Sequence, residues 1–353
     1  MKSKLVLSLV FASLLAPAIT LAQSSPSAAL LALSKRDHTL AIVDPATLKI
    51  VAKVPVGNDP HEVIASSDGK TAYVSNYGGG AFNTLAVIDL VEQTALPPVD
   101  LGSLRGPHGL VFVGGKTWFT AEAAKAIGSY DPATKKIDWI LGTGQNRTHM
   151  IWVSDDMKLI FTTNVNSGTV SVIEKTAARA PAGPPPGMPN RPNSPQGPPE
   201  PSGGDWNETV VRVGDGSEGF DVSPDGKEVW VANARDGSIS IIAMPAKSVA
   251  QTLDASLQSA NRLKFTPDGK RVFVSRLGGP EVAVFDVASR KEIKRIKVGH
   301  GAAGILMQPD GARVFVACTP DNYVVLIDLK TLEVTGHLDV GTEPDGLAWA
   351  VRH

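Results

Sequence analysis

Residues 219–243 read GFDVSPDGKEVWVANARDGSISIIA. The stretch is strand, tight turn, strand, loop, strand. Phe220 to Val222 is a short β-forming run, and Ser223-Pro224-Asp225-Gly226 is turn chemistry. Proline presets φ at the second turn position, and glycine tolerates positive φ. Polar and apolar residues alternate around Val229, Trp230 and Val231, Arg235-Asp236-Gly237 turns the chain again, and Ser238 to Ala243 is a third run. Three short strands cannot bury both faces alone, so the unit requires copies of itself beside it.

The copies are present. The turn returns as Ser66-Ser67-Asp68-Gly69, Ser154-Asp155-Asp156-Met157, Thr266-Pro267-Asp268-Gly269 and Gln308-Pro309-Asp310-Gly311, with a shorter form at Val113-Gly114-Gly115-Lys116. The second strand returns as AYVSN (72–76), TWFTA (117–121), IFTTN (160–164), RVFVS (271–275) and RVFVA (313–317). The third strand ends on Asp44, Asp89, Asp131, Glu174, Asp286 and Asp328, with Ala243 in the same place in one copy. These positions stand 42–45 residues apart, except for one interval of 69. A fourth strand follows each of them, as in KIVAKVPVG (49–57) and KEIKRIKVG (291–299).

A period near 40–45 residues with four short strands per unit is the propeller signature. Seven copies predict an all-β, seven-bladed β-propeller of four-stranded antiparallel blades. The first copy (Ala29 to Ser34) lacks an innermost strand, and a spare strand, Asp345 to Val351, follows the last copy. The C-terminal strand should complete the N-terminal blade and close the ring, leaving no free sheet edge there. The aromatic residues Tyr73, Trp118, Phe161, Trp230, Phe273 and Phe315 should pack blade against blade. The recurring acids read as turn residues, because one role in every blade is structural.

The succession of Val56-Gly57, Pro60-His61, Ser66-Ser67-Asp68-Gly69-Lys70, AYVSN and Val87-Ile88-Asp89 resembles the YVTN-type (YncE-like) β-propeller repeat family of secreted and periplasmic proteins. It is more distantly similar to the seven-bladed lactonase propellers. The resemblance runs over roughly residues 28–351. It implies the propeller fold and, most often, a non-enzymatic exported binding or scaffold protein. The lactonase propellers imply a hydrolase as the alternative. The fold itself carries many activities, so function must be argued from the site.

Residues 1–22 have a basic start (Lys2, Lys4), an apolar run from Leu5 to Ile19 and a small-residue site at Thr20-Leu21-Ala22. They read as a cleaved secretory signal, with a periplasmic or secreted mature chain over 23–353 and no membrane span in it. Net charge is −1, with no basic run, which argues against a nucleic-acid partner. Cys318 is the single cysteine and no C-x-x-C-H occurs, so neither an internal disulfide nor a c-type haem attachment is expected. Residues 178–205, a Pro-rich run in blade 4 after Glu174, account for the long interval and read as a disordered insertion. That insertion is a candidate strap for a protein partner, or a tolerated solvent loop.

Chemistry should sit where the loops lead into the innermost strands, around one axis. Aligned on P-x-G, the middle positions are His61, His108, His149, Glu218, Asn261, Ala303 and Asp345, with Arg147 and Arg262 beside them. Converging polar groups at a concave mouth predict a binding site for a small molecule or protein partner. His61, His108, Arg147, His149, Glu218, Asn261, Arg262 and Asp345 are the candidate ligand contacts. His61, His108, His149 and Glu218 come from consecutive blades, and three imidazoles with a carboxylate suit a divalent Zn- or Cu-type ion. Purely structural capping of each turn is the alternative. Tyr77, Asn164, Asn233, Arg235 and Arg276 on the neighbouring loops are further candidates, Asx turns being the alternative for the asparagines. In the hydrolase reading, a His or Glu activates water while Arg147 or Arg262 holds an anionic group. No G-x-S-x-G or H-E-x-x-H motif accompanies it.

Overall fold

A computed structural model describes residues 27–176 and 205–352. The signal reading and the Pro-rich insertion, apart from Asp205, lie outside the described residues. The described chain forms twenty-eight strands in seven four-stranded antiparallel sheets. The only helical element among the described residues is a 3-10 turn at Gly78–Gly80. Each innermost strand packs against the innermost strands of both neighbouring blades, around a closed ring.

The ring closes as the repeat phase requires. Pro344–Val351 pairs antiparallel with Ala28–Ser34, Leu31 opposite Ala348 and Leu30 opposite Trp349. Blade 1 is therefore built from both ends of the described chain, and blades 2 to 7 follow in sequence. Second strands are buried on both faces, whereas the outermost strands alternate exposed and partly buried residues. This follows from position: a second strand is covered by the blades on either side, and an outer strand faces water on its rim.

Seven apolar clusters fill the seven blade-to-blade interfaces. One joins Leu30 and Ala41 of blade 1 to Phe315 and Leu326 of blade 7, and another joins Trp230 and Ile239 of blade 5 to Leu263 and Val272 of blade 6. The six second-strand aromatics are all buried in such clusters, as the sequence led one to expect. Burying one such side chain is worth about 1.5–3 kcal/mol. The core is thus a ring of seams, and no blade can fold without its neighbours.

The recurrent acids do turn work. Asp44 accepts from the Ala46 amide at 2.9 Å, Asp131 from the Ala133 amide at 2.8 Å and Asp328 from the Lys330 amide at 2.9 Å. In the first-to-second turns, Asp68, Asp156, Asp225 and Asp268 each accept a bond from the hydroxyl two residues earlier and from the amide two residues later. Those hydrogen bonds favour the ionised form, so all four carboxyls titrate below the usual range, Asp225 at about 2. A carboxyl depressed in the folded state adds stability above its unfolded value, near 4, and loses it as pH falls through the folded value. The melting temperature should therefore drop between about pH 4 and pH 2. A variant with all four acids changed to asparagine should show a flatter profile across that window; equal slopes would remove the turn carboxylates from acid lability.

Candidate functional site

The mouth of the channel is made by a repeated defect. In all seven blades the innermost strand carries a β-bulge at its start. Its pairing jumps from Pro60 to Val63, from Pro107 to Leu110, from Thr148 to Ile151, and likewise around the ring. Two residues of the inner strand then face one residue of the second strand. The bulged pairs are His61-Glu62, His108-Gly109, His149-Met150, Glu218-Gly219, Asn261-Arg262, Ala303-Gly304 and Asp345-Gly346. The P-x-G candidates thus lie at the start of each innermost strand, and of the eight expected contacts only Arg147 lies in the turn ahead of one.

A bulge frees backbone groups that must find partners. The single opposing residue supplies them where it is Ser75, Thr120, Thr163 or Ser275. Thr120 Oγ1 accepts from the Gly109 amide at 2.9 Å and donates to the His149 carbonyl at 2.7 Å. Ser275 Oγ accepts from the Arg262 amide at 3.0 Å and donates to the Ala303 carbonyl at 2.8 Å. One hydroxyl therefore fixes two adjacent blades at the height of the site. The glycine of P-x-G is needed because the next blade is so near: a Cβ on Gly219 would lie 2.2 Å from the Asn261 carbonyl oxygen.

Three blades replace that glycine, with Glu62, Met150 and Arg262. Arg262 donates to Glu62 Oε1 and to Asn261 Oδ1. Blades 2 and 6 stand nearly opposite in a ring of seven, so the Arg262–Glu62 pair spans the channel and floors the mouth. Above it lies a cavity of about 330 Å³ lined by His61, Tyr77, His108, His149, Glu218 and Asp345 on one side. Leu277, Ala303 and Pro320 form a smaller, more apolar wall. A groove of about 340 Å³ between Val56, Phe82 and Leu96 on the outer side of blades 1 and 2 has no titratable lining residue.

The polar residues make two linked groups. In the first, His61 Nδ1 stands 3.1 Å from Asp345 Oδ2, with Lys35 Nζ 3.0 Å from His61 Nε2 and 3.4 Å from Asp345. In the second, Glu122 bonds His149 Nδ1 and accepts from the Tyr77 hydroxyl at 2.5 Å. Glu218 Oε1 lies 3.3 Å from His149 Nε2, a charge contact without hydrogen-bond alignment, since that nitrogen has no hydrogen-bond partner. Arg147 reaches Glu122 and Glu218, each at 3.5 Å. His108 joins the groups, its ring centroid 5.0 Å from that of His61 and 3.9 Å from that of His149.

Burial and charge then set protonation. Burial holds the His108 imidazole well below its ordinary value, helped by the neighbouring His149, His61 and arginines, so it is neutral. Burial pushes His149 the same way, but Glu218 and Glu122 outweigh it and raise it. Glu218 sits at about 2: burial alone would raise it, and His149, Arg147 and Arg262 reverse that. Glu122 and Asp345 are likewise lowered against burial, by His149 and by His61 with Lys35. The mouth therefore carries ionised carboxylates out of water, each compensated by a cation or imidazole.

All eight residues expected to contact a ligand line this cavity. Within it the grouping differs from the expected metal set. Donor atoms of His108, His149 and Glu122 lie within 4.8 Å of one another. His61 instead turns to Asp345 and Lys35, and Glu218 approaches His149 at its far nitrogen while also meeting Arg147. Arg147 and Arg262 line the cavity and each also meets carboxylates, Arg147 at 3.5 Å. Of the further loop candidates only Tyr77 lines the cavity. Asn164 is fully buried and bonds Thr148, Thr169 and Ser171. Asn233 bonds Ser238 and Ser240, Arg235 bonds Asn166, and Arg276 bonds the Gln258 carbonyl.

Glu122 and Lys35 escaped the sequence alignment. Both immediately follow a second strand, in a column that also holds Tyr77, Val165, Ala234, Leu277 and Thr319. That column is chemically mixed and has no motif residue, and only Tyr77 stands out in it. Read across the blades as P-x-G was read, it would have supplied the second tier of the mouth.

A family model described as a YNCE-like beta-propeller matches residues 3–180. No curated protein matches the chain. Among solved structures, a functionally unknown protein of Desulfotomaculum acetoxidans is similar with a TM-score of 0.71 at 15% identity, over 92% of this chain and 99% of that one. A Bacteroides fragilis protein provisionally assigned as a 6-phosphogluconolactonase has a TM-score of 0.68 at 16% identity, over 93% and 99%. Hydrazine synthase of Kuenenia stuttgartiensis has a TM-score of 0.62 at 16% identity, over 82% and 89%. At these identities the likeness is one of fold.

Proposed function

The chain belongs to the YNCE-like β-propeller family, and from that premise we propose that it is an exported binding protein that holds a small polar ligand in the blind mouth of its channel. One observation carries the reading. Five consecutive blades (1 to 5) each place a polar side chain, Asp345, His61, His108, His149 and Glu218, on one wall of a single floored cavity. Turn capping needs no such convergence. The volume, about 330 Å³, suits a small molecule. The reactive groups are recessed, which favours a ligand that enters over a protein surface that docks. Export rests on the basic-then-apolar start of the sequence. Among the described residues no helix is long and apolar enough to cross a membrane.

The charges describe the ligand. Lys35, Arg147 and Arg262 face Asp59, Glu62, Glu122, Glu218 and Asp345. Carboxylates outnumber cations, and both guanidiniums meet carboxylates. The mouth therefore favours hydrogen-bond donors or positive charge, with the less polar part of the ligand against Leu277 and Pro320. A thermal-shift panel of amines, amino acids, polyols, hydroxy acids and lactones tests this. A ligand at about 100 times its dissociation constant adds about 2.7 kcal/mol. We expect at least one donor-bearing compound to raise the melting temperature of the wild type and not of Leu277→Trp, which fills the cavity. No shift across the panel, or equal shifts in both proteins, would overturn it.

A hydrolase of the lactonase kind is the second reading. His149, oriented by Glu122 and beside Glu218, has the arrangement of a general base. Turnover of a lactone or ester by the wild type, lost in His149→Ala, would select it.

A further inference from the structure

We propose that His108, His149 and Glu122 form a binding site for one divalent transition-metal ion, Zn²⁺ or Cu²⁺, in the wall of the channel mouth. The inference rests on reading the mouth as a binding site. Three observations of different kinds meet there.

The first is proximity. One donor atom from each of the three residues lies within 4.8 Å of the other two. Zinc ligands at about 2.0–2.2 Å from the ion stand roughly 3.5 Å apart, so small side-chain rotations close the set. The second is an unmet need. His108 is 3% exposed and His149 1% exposed, and His108 Nδ1 and His149 Nε2 are buried without a hydrogen-bond partner. Buried polar atoms are rarely left so, and two in adjacent rings call for an occupant. The neutral His108 ring has a bare nitrogen to offer a Lewis acid, and an ion taken up at His149 Nε2 would displace the proton there.

The third is support from behind. The Tyr77 hydroxyl holds Glu122 Oε2 and His149 Nδ1 holds Oε1, so the carboxylate is fixed beside the imidazoles and a bound ion would take Oε1 in exchange for that hydrogen bond. Thr120 ties the amide after His108 to the carbonyl of His149, so one side chain sets the spacing of both ligands. Such outer contacts are what metal sites use to aim their ligands. Glu218 Oε1, 3.3 Å from His149 Nε2, is placed to add a fourth ligand, an oxygen. The cavity side stays open for water or for the ligand of the mouth. Two imidazoles with carboxylate oxygen suit zinc or copper and not calcium or magnesium, which take oxygen alone. His61 is outside the set because Lys35 and Asp345 already occupy its nitrogens. His300 is an exposed histidine of the rim and bonds Asp321.

The test is titration of Zn²⁺ and, separately, Cu²⁺ into the chelator-treated full chain, followed by calorimetry. The wild type should bind one ion. Replacing His108 by Phe (His108→Phe) keeps a ring against His149 and should weaken binding by more than about 100-fold. Tyr77→Phe, which removes only the support of Glu122, should weaken it by about 10-fold. His300→Ala should match the wild type. The thermal midpoint of each metal-free variant, measured alongside, separates lost ligation from lost folding. Failure of both ions to bind the wild type saturably overturns the proposal. So does undiminished binding in folded His108→Phe and His149→Ala. If neither metal binds while an organic compound still stabilises the wild type and not Leu277→Trp, the metal site is refuted and the binding mouth stands. If metal binds and no organic compound does, the metal site stands and the small-ligand reading of the mouth is refuted.

Discussion

Glu62→Ala should destabilise the protein by about 3–5 kcal/mol, although no apolar core contact is lost. Arg262 is buried, reaches across the channel and donates to Glu62. A guanidinium does not shed its proton, so removing the carboxylate leaves a buried charge. Asp345 and Glu218 also act on Arg262 and soften the loss, which places the expected value toward the lower end. The double replacement Glu62→Leu/Arg262→Met should restore most of the stability, because exchanging a buried pair for apolar groups is often neutral. Urea unfolding of the three proteins checks this. A single variant as stable as the wild type would mean that the bridge does not floor the channel.

Removing residues 344–353 should have a larger effect. The strand Pro344–Val351 is the inner strand of blade 1 and touches the inner strands of blades 2 and 7. Without it the fully buried Leu31 and Leu33 lose cover and Ala28–Ser34 becomes an open edge. Losing two or three buried side chains at about 1.5–3 kcal/mol each removes about 5 kcal/mol. For a chain of this size that lowers the melting temperature by about 8 °C. The truncated protein should also aggregate, and a synthetic peptide spanning the strand should restore part of the midpoint. A truncated chain that melts like the full one would show that the ring does not depend on this closure.

The two predictions also show why sequence and structure agree where they do. The ring was legible because every blade repeats the same turn and strand, and because a first copy without an inner strand is answered by a spare strand at the end. The channel mouth was legible for the same reason: the repeat aligns Asp345, His61, His108, His149 and Glu218 on one axis. What escaped was whatever departs from the repeat. Glu122 lies in a column without a consensus residue, so its contact with His149 depends on the spacing of blades 3 and 4, which no periodicity encodes. Glu62 and Arg262 replace the glycine of P-x-G in blades nearly opposite each other. Their opposite charges are visible in the sequence, but their meeting depends on the width of the channel. Ring membership is a property of the repeat; pairing within the ring is a property of distance. The grouping of His61 with Asp345 and Lys35, away from His108 and His149, is of that second kind.

The most direct test of the mouth as a binding site is native mass spectrometry of the full chain, purified without chelator, beside a His149→Ala/Glu218→Ala variant. The account predicts extra mass on the wild type, a metal ion or small molecule, that is absent from the variant. A wild-type chain of bare mass, which takes up nothing when offered Zn²⁺, Cu²⁺ or the donor-bearing compounds, would contradict it.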